Sequence, residues 1–266
     1  MSIVSDKTFL VGQYHDAANL NARIALHTRF SESTYGWFDW VFDQLTLPEK
    51  SSILELGCGS GDLWGSNQDR IPPGWKLTLS DISIGMAAQA RQNLEEIRHN
   101  FQFAIIDAQA IPFDDSRFSA VIANHMLYHV PDHPRGLREI QRVIKPGGSF
   151  YATTIGERHL DEIHKLTGAF DQELAREYAW GPFSFTLENG VEQLGGWFSM
   201  IRLVRYPNRL LVTQAEPLAD YILSNTHYGI GRQRRGDLIE FIQERLKESG
   251  VIEITIDSGM FIARRL

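Results

Sequence analysis

The short apolar run Ser52-Ile53-Leu54-Glu55-Leu56 stops at Gly57-Cys58-Gly59-Ser60-Gly61. Its length suits a strand, and its nearly continuous apolar character suits a strand covered on both faces. Alternating glycines after such a strand let the backbone turn tightly and pass close to a ligand, because no Cβ intervenes. In open α/β sheets, ligands sit outside the carboxyl ends of the strands. This one loop therefore constrains both the fold class and the place of a binding site. Alone it does not name the ligand, since many nucleotide sites and plain turns use such a loop.

The segments that follow alternate. Trp75–Ser80 reads as a second strand after the turn Pro72-Pro73-Gly74, and residues 84–99 have helical spacing (Met86, Ala90, Leu94, Ile97). Phe101–Ile106 and Phe118–Ala123 read as strands three and four. Leu137–Ile144 is a helix stopped by Lys145-Pro146-Gly147-Gly148, and Ser149–Thr154 a fifth strand. Strand and helix alternating over 50–155 predict βαβ units and a parallel sheet. Residues 15–45 read as helical, through Leu20, Ile24, Phe30, Trp37, Trp40, Val41 and Phe42, and Pro48 closes them. Beyond Ile155 the spacing predicts mostly helix over 157–195, then strands at Trp197–Tyr206 and Leu210–Thr213. Helices follow at Pro217–Ser224 and Arg235–Glu248. Extended segments flank Asp257-Ser258-Gly259, and the final strand is expected at the sheet's edge.

The chain has 266 residues, and 43% hydrophobic content supplies a sizeable core. A net charge of −7 argues against phosphate-backbone binding; the cluster Arg232-Gln233-Arg234-Arg235 reads as a solvated approach to a helix. No apolar run reaches the roughly 18 residues of a membrane span. The single cysteine, Cys58, allows no internal disulfide and suits a reducing compartment, and the N-terminus shows no secretory pattern. A cytoplasmic protein is expected, without nucleic-acid or membrane partners, as monomer or homodimer.

What the loop holds is narrowed by what is missing. A dinucleotide fingerprint needs a third glycine where Asp62 or Trp64 stands, and no G-K-[ST] follows for phosphate. Asp81 ends the second strand and Asp107 the third. A carboxylate at Asp81 can accept two hydrogen bonds from a ribose diol. Asp81 as a helix N-cap and Asp107 as a turn residue are the alternatives. Three successive strand ends carrying a Glu-glycine loop, Asp and Asp are harder to assign to chance.

The loop resembles the first motif of class I S-adenosylmethionine-dependent methyltransferases, an acid followed by x-G-x-G-x-G, with Glu55 as the acid. Asp107-Ala-Gln-Ala-Ile-Pro-Phe113, Phe118-Ser-Ala-Val-Ile-Ala-Asn-His125 and Arg142-Val-Ile-Lys-Pro-Gly-Gly148 are similar to the ubiquinone/menaquinone-biosynthesis-type (methyltransferase type 11) small-molecule enzymes. The likeness spans about residues 50–155. It departs at Ser119, where the family usually has Asp; this position reads as structural. The resemblance implies S-adenosylmethionine as cofactor. It carries an ammonium and a sulfonium but no phosphate, so no phosphate cradle is needed. The implied fold is α/β: a Rossmann-like, doubly wound, mostly parallel seven-stranded sheet, with an N-terminal helical lid (1–48), a cofactor-binding core (49–156) and a remainder of the sheet (157–266) with a helical cap at about 207–250, one domain overall. The implied cofactor contacts are Glu55, Gly57, Cys58, Gly59, Gly61, Asp81, Ile82, Met86, Asp107, Ala108 and Asn124. Glu55 would support the loop or meet the ammonium, and Asp107 would lie near the adenine. Tyr14 and Arg29, with His27, are candidates from the N-terminal segment.

On the acceptor side, the fourth strand ends at Asn124-His125-Met126-Leu127-Tyr128-His129. His125 and His129 are the candidate catalytic residues, as bases or acceptor contacts; hydrogen bonding to backbone is the alternative. With His133 they are spaced by four, but Pro131 and Pro134 break a shared helix and the Glu of H-E-x-x-H is absent, so no metal is expected. Trp37, Trp40, Trp180 and Trp197 read as core, and His227-Tyr228 as possible lining of the pocket. The expected activity is methyl transfer to an O, N or C atom of a small molecule by in-line displacement. The alternatives are a catalytically silent S-adenosyl-binding protein of the same fold and a dinucleotide oxidoreductase.

Overall fold

The computed structural model describes residues 17–97, 99–173, 183–225 and 228–266. Helices α1 (Ala17–Phe30) and α2 (Trp37–Asp43) precede β1 (Ser52–Leu56) and α3 (Asp62–Ser66). Then come β2 (Lys76–Asp81), α4 (Ile84–Asn93), β3 (Phe101–Ile105), β4 (Phe118–Asn124), α5 (His133–Val143) and β5 (Ile144–Ile155). The rest of the chain holds α6 (Asp161–Phe170), α7 (Gly190–Gly195), β6 (Ser199–Arg205), β7 (Arg209–Val212), α8 (Ala215–Ser224), α9 (Arg235–Ser249), β8 (Ile252–Thr255) and β9 (Ser258–Arg264).

The chain sorts into two compact units. One comprises residues 35–156, 184–206 and 258–266, and contains the central sheet. The other comprises 1–34, 157–183 and 207–257. Helix α2 belongs to the sheet unit, although the sequence places it in the 1–48 segment. The continuous helix expected over 15–45 is interrupted at residues 31–36. There the polar Ser31-Glu32-Ser33-Thr34 is followed by Gly36, whose extended backbone (φ −62°, ψ 148°) is the N-cap of α2.

The seven strands are ordered β3-β2-β1-β4-β5-β9-β6. Strands β1 to β5 are parallel, and β9 runs antiparallel to both β5 and β6. The final strand therefore lies inside the sheet, not at its edge. Its side chains give the reason: Met260, Phe261 and Ala263 are fully buried, whereas β6 alternates between half-buried and exposed positions. A strand apolar on both faces belongs in the interior, and a half-polar one can stand at the edge. Strand β5 also starts earlier than expected. It follows α5 directly and absorbs Pro146-Gly147-Gly148 in an irregularity of its pairing with β4. Gly148 is required there, because a Cβ would lie 2.8 Å from the Ser119 carbonyl oxygen. Ser119 is structural: its hydroxyl accepts from the Ser52 N–H at 3.3 Å, and its own N–H donates to the Ser52 hydroxyl at 3.1 Å.

In the other unit, α1 packs on α8, and α8 on α9. The fully buried Leu26, Leu210, Leu218, Ile222, Leu238, Ile242 and Ile254 fill its interior. Strands β7 and β8 form a separate antiparallel pair. Arg209 bridges Glu32 (2.8 Å) and Glu253 (3.1 Å) across it.

The sheet unit's long loop after β3 is tied down by one side chain. The Arg142 guanidinium on α5 donates to both Glu139 oxygens, to the Ile111 and Phe113 carbonyls and to Asp115, all at 2.8–2.9 Å. Glu139 also accepts from the Ile111 N–H at 3.0 Å. Arg142→Ala should cost about 2–4 kcal/mol, since it strands two carbonyls and a partly buried carboxylate. Arg142→Lys should recover little of it, because an ammonium cannot span the same fork. Urea denaturation measures both, and a loss under about 0.5 kcal/mol for Arg142→Ala would contradict this role.

Candidate active site

The loop after β1 uses all three glycines in the left-handed region: Gly57 (φ 70°), Gly59 (φ 52°) and Gly61 (φ 84°). Two of them are also packed. A Cβ on Gly57 would come within 2.8 Å of the Met126 side chain, and one on Gly61 within 2.9 Å of Leu94. Gly59 differs, because a Cβ there would meet nothing within 4 Å. The loop is stitched to its neighbours: the Cys58 N–H donates to the Ser80 carbonyl at 2.8 Å, and Asn93 Nδ2 to the Ser60 carbonyl at 3.0 Å. The loop beside this open space is thus tied to β2 and to α4.

Asp81, half-buried at the end of β2, accepts from the Gly59 N–H with Oδ2 (3.1 Å) and from the Ser83 N–H with Oδ1 (2.8 Å). The N-cap of α4 is Ser83, which accepts from the Met86 N–H at 3.4 Å. Asp81 is therefore a brace between strand end, glycine loop and helix start. Burial raises its pKa above the ordinary range, opposed by the backbone N–H groups and by the nearby His129 charge. Ile82 follows it with 47% of its surface exposed, and Met86 is half-buried.

Glu55 is turned inward. It is 1% exposed, and its Oε2 accepts from the Trp64 indole N–H at 2.6 Å. Burial pushes its carboxyl up to about 7; the indole opposes this, and Asp81 and Asp62 add to it. Glu55 thus supports the loop from beneath. Cys58 is buried, and burial together with Glu55 and Asp81 raises its thiol pKa, so the thiol stays protonated. Asp107 Oδ1 accepts from the backbone and side-chain amides of Gln109 (2.9 and 3.1 Å), a turn geometry that leaves Ala108 buried behind it.

At the end of β4, Asn124 Oδ1 accepts from the Thr153 hydroxyl at 2.6 Å, and Thr153 Oγ1 in turn accepts from the His125 N–H at 2.8 Å. His125 has φ 51°, unusual for a residue with a side chain. Its ring lies against Trp37 with centroids 4.8 Å apart. Burial, then the His129 charge, lowers its pKa to about 4, so the imidazole is neutral at ordinary pH. His129 closes the single 3-10 turn Leu127–His129, edge-on to Tyr128 at 4.5 Å. His133 stands apart: its ring nitrogens meet Gln193 Oε1 (2.7 Å) and the Leu127 carbonyl (3.0 Å).

Arg29 is exposed on α1 and belongs to the other unit, as does His27, whose pKa burial lowers. Tyr14, Trp180 and His227 lie outside the described residues. Trp40 is buried, whereas Trp37 and Trp197 are half-buried; Tyr228 is buried with its ring 5.5 Å from His164. Sequence reading missed Trp64, Ser83, Thr153 and Tyr206. Ser83 alone carried a local signal, a Ser immediately before a helical run.

This sheet order, with a glycine loop and acids at successive strand ends, defines a class I methyltransferase fold. Residues 53–148 match the family model described as a methyltransferase domain. The ubiquinone/menaquinone biosynthesis C-methyltransferase UbiE of Hahella chejuensis is 32% identical over 114 residues, covering 42% of this chain and 46% of that protein. The malonyl-[acyl-carrier protein] O-methyltransferase of Pseudescherichia vulneris is 31% identical over 136 residues, 51% of each. The chain spans about half the length of the curated relatives it matches. Among solved structures, Haemonchus contortus phosphoethanolamine N-methyltransferase 2 in complex with S-adenosyl-L-methionine superposes with a TM-score of 0.60 at 18% identity, covering 97% of this chain and 59% of that one. Residues 53–148 therefore resemble a methyltransferase domain, and the chain has the fold of the class I S-adenosylmethionine-dependent methyltransferases.

The buried acid gives a signed pH test. The folded pKa of Glu55, about 7, lies above the ordinary 4.5. The associated stability is present below pH 4.5 and is lost as pH rises through 7, when the carboxyl must ionise in its buried site. The melting temperature of Glu55→Gln relative to wild type should accordingly be higher at pH 8 than at pH 5. A pH-independent difference in thermal denaturation would contradict it.

Proposed function

We propose that the protein transfers a methyl group from S-adenosylmethionine to a small-molecule acceptor bound at the carboxyl end of β4. The observation that carries this reading is the space beside Gly59, next to a braced Asp81 and an exposed Ile82. It suits a ligand with a ribose, a flat ring and positive charge. Burial disfavours the charge on Glu55 and Asp81, and a cationic ligand beside them would offset that cost where a phosphate would add to it. Gly57, Gly59, Asp81, Ile82, Met86, Asp107, Ala108 and Asn124 would hold the cofactor, which when bound supplies a methyl group already activated on a sulfonium. The chain's own part is to fix the acceptor in line and exclude water.

His125, neutral and weakly basic, suits a hydrogen-bonding contact to the acceptor. His129, whose charge reaches both Asp81 and His125, is the better candidate for removing a proton. The named relatives are C-, O- and N-methyltransferases. The net charge of −7 supports a small molecule over a nucleic acid, and the lone buried Cys58 supports a reducing, cytoplasmic setting. Among the described residues no helix is long and apolar enough to cross a membrane. A dinucleotide oxidoreductase is disfavoured by Asp62 and Trp64 at the third-glycine positions.

Isothermal titration with S-adenosylhomocysteine is the direct test. Wild type should bind it and not NADH. Asp81→Asn should bind roughly tenfold more weakly or worse, through the loss of a charged hydrogen-bond acceptor. Gly59→Arg should fold, at a cost of about 1–2 kcal/mol for a side chain held at φ 52°, yet lose binding, its side chain filling the open space. Absence of wild-type binding at millimolar ligand, or full binding by Gly59→Arg, would overturn the reading.

A further inference from the structure

The acceptor side contains an arrangement that methyl transfer alone does not explain. Trp37 lies in a run of rings: Trp40 stacked on it at 5.2 Å (30°), His125 tilted against it at 4.8 Å (36°), and Tyr206 edge-on at 5.2 Å (85°). Each neighbour is fixed independently. Trp40 is 4% exposed. The Tyr206 hydroxyl donates to the Tyr35 carbonyl at 2.5 Å, and its N–H to the Ser258 carbonyl at 2.8 Å. Helix α2 is pinned by Asn67, whose amide donates to the Phe38 carbonyl at 3.1 Å and to the Leu63 carbonyl at 2.9 Å. Trp37 therefore presents a rigid wall. Facing it, His125 adopts a left-handed backbone that its surroundings must impose. The groups around its ring are Trp37 from α2, Tyr128 and His129 from the turn that follows, and Thr153 from β5 beneath its backbone. Met126, the next residue, packs on Gly57, so this ring adjoins the glycine loop.

We propose that Trp37 is a positioning residue: its indole, backed by Trp40 and Tyr206, holds the His125 imidazole in one orientation at the acceptor end of β4. The clamp stands on this geometry; its use in orienting a methyl acceptor rests on the function proposed above. The indole excludes water from one face of the imidazole, which keeps the ring neutral and able to direct a single hydrogen bond.

Nitrogen-15 NMR of the histidine rings reads this without an acceptor, with His125 assigned by His125→Gln. In wild type the ring should show one dominant tautomer and titrate near 4. In Trp37→Ala its midpoint should rise by about one pH unit or more toward the free value, with mixed tautomers. Trp37→Phe, which keeps a ring, should stay within about half a unit of wild type. Affinity for S-adenosylhomocysteine should change by less than about twofold in both variants, since the ring contacts of Trp37 are to Trp40, His125 and Tyr206 and not to the glycine loop. An unmoved midpoint in Trp37→Ala, or a loss of ligand affinity as large as that of Asp81→Asn, overturns the proposal. If Trp37→Ala does not fold, Trp37→Leu takes its place with the same expected shift. A wild type that binds no S-adenosylhomocysteine would remove the methyltransferase reading while leaving the ring titration to decide the clamp.

Discussion

The Asp81 carboxylate is the joint on which the site depends. One oxygen accepts from the Gly59 N–H and the other from the Ser83 N–H. A single side chain thereby locks the end of β2 to the loop after β1 and to the first turn of α4. The parallel pairing of β1 and β2 places Leu56 opposite Ser80, so the loop leaves β1 within reach of Asp81. With its own N–H groups engaged from below, the loop cannot collapse into the space beside Gly59. The division of labour among the glycines follows. Gly57 and Gly61 are needed because Met126 and Leu94 crowd them, and Gly59, which has open space beside it, because its backbone is left-handed at φ 52°.

Much of this was legible in the sequence because its causes are local. Ser52–Leu56 ends where the apolar run meets the glycines, and the strands beginning at Phe101 and Phe118 match observed strands to within a residue. Three features were illegible for a common reason: each depends on a partner that no local pattern identifies. The position of β9 inside the sheet follows from burial on both faces by segments not adjacent in sequence. The break between α1 and α2 falls in a polar stretch where Glu32 donates its N–H to the Arg209 carbonyl at 2.9 Å, a contact no local pattern announces. The indole that partners Glu55 lies nine residues on, beyond a loop whose own shape decides whether the two meet.

The two histidines flagged together turn out to have different surroundings. Both follow β4, and spacing alone could not separate them. His125 is pressed against Trp37 and held neutral, whereas His129 stands where its charge acts on Asp81 as well as on His125. A proton on His129 therefore favours the ionised form of the brace and disfavours protonation of the neighbouring ring. The strand end thus contains one ring suited to hydrogen bonding and one suited to carrying charge, separated by a single helical turn.

The electrostatics of the loop support the proposed cationic ligand over a phosphate. Glu55, Asp81 and Cys58 all have pKa values raised, chiefly by burial, and Glu55 and Asp81 act on Cys58 in the same direction. What offsets this is weak or local: an indole N–H on Glu55, three backbone N–H groups and His129 on Asp81. A phosphate would add negative charge to a region already reluctant to hold it. A sulfonium or ammonium would do the opposite, lowering the cost of ionising both acids, and by linkage their ionisation would tighten its binding. The same burial that makes ionised Glu55 expensive in the free protein therefore supports the proposed preference for positive charge, which the three glycines alone do not confer.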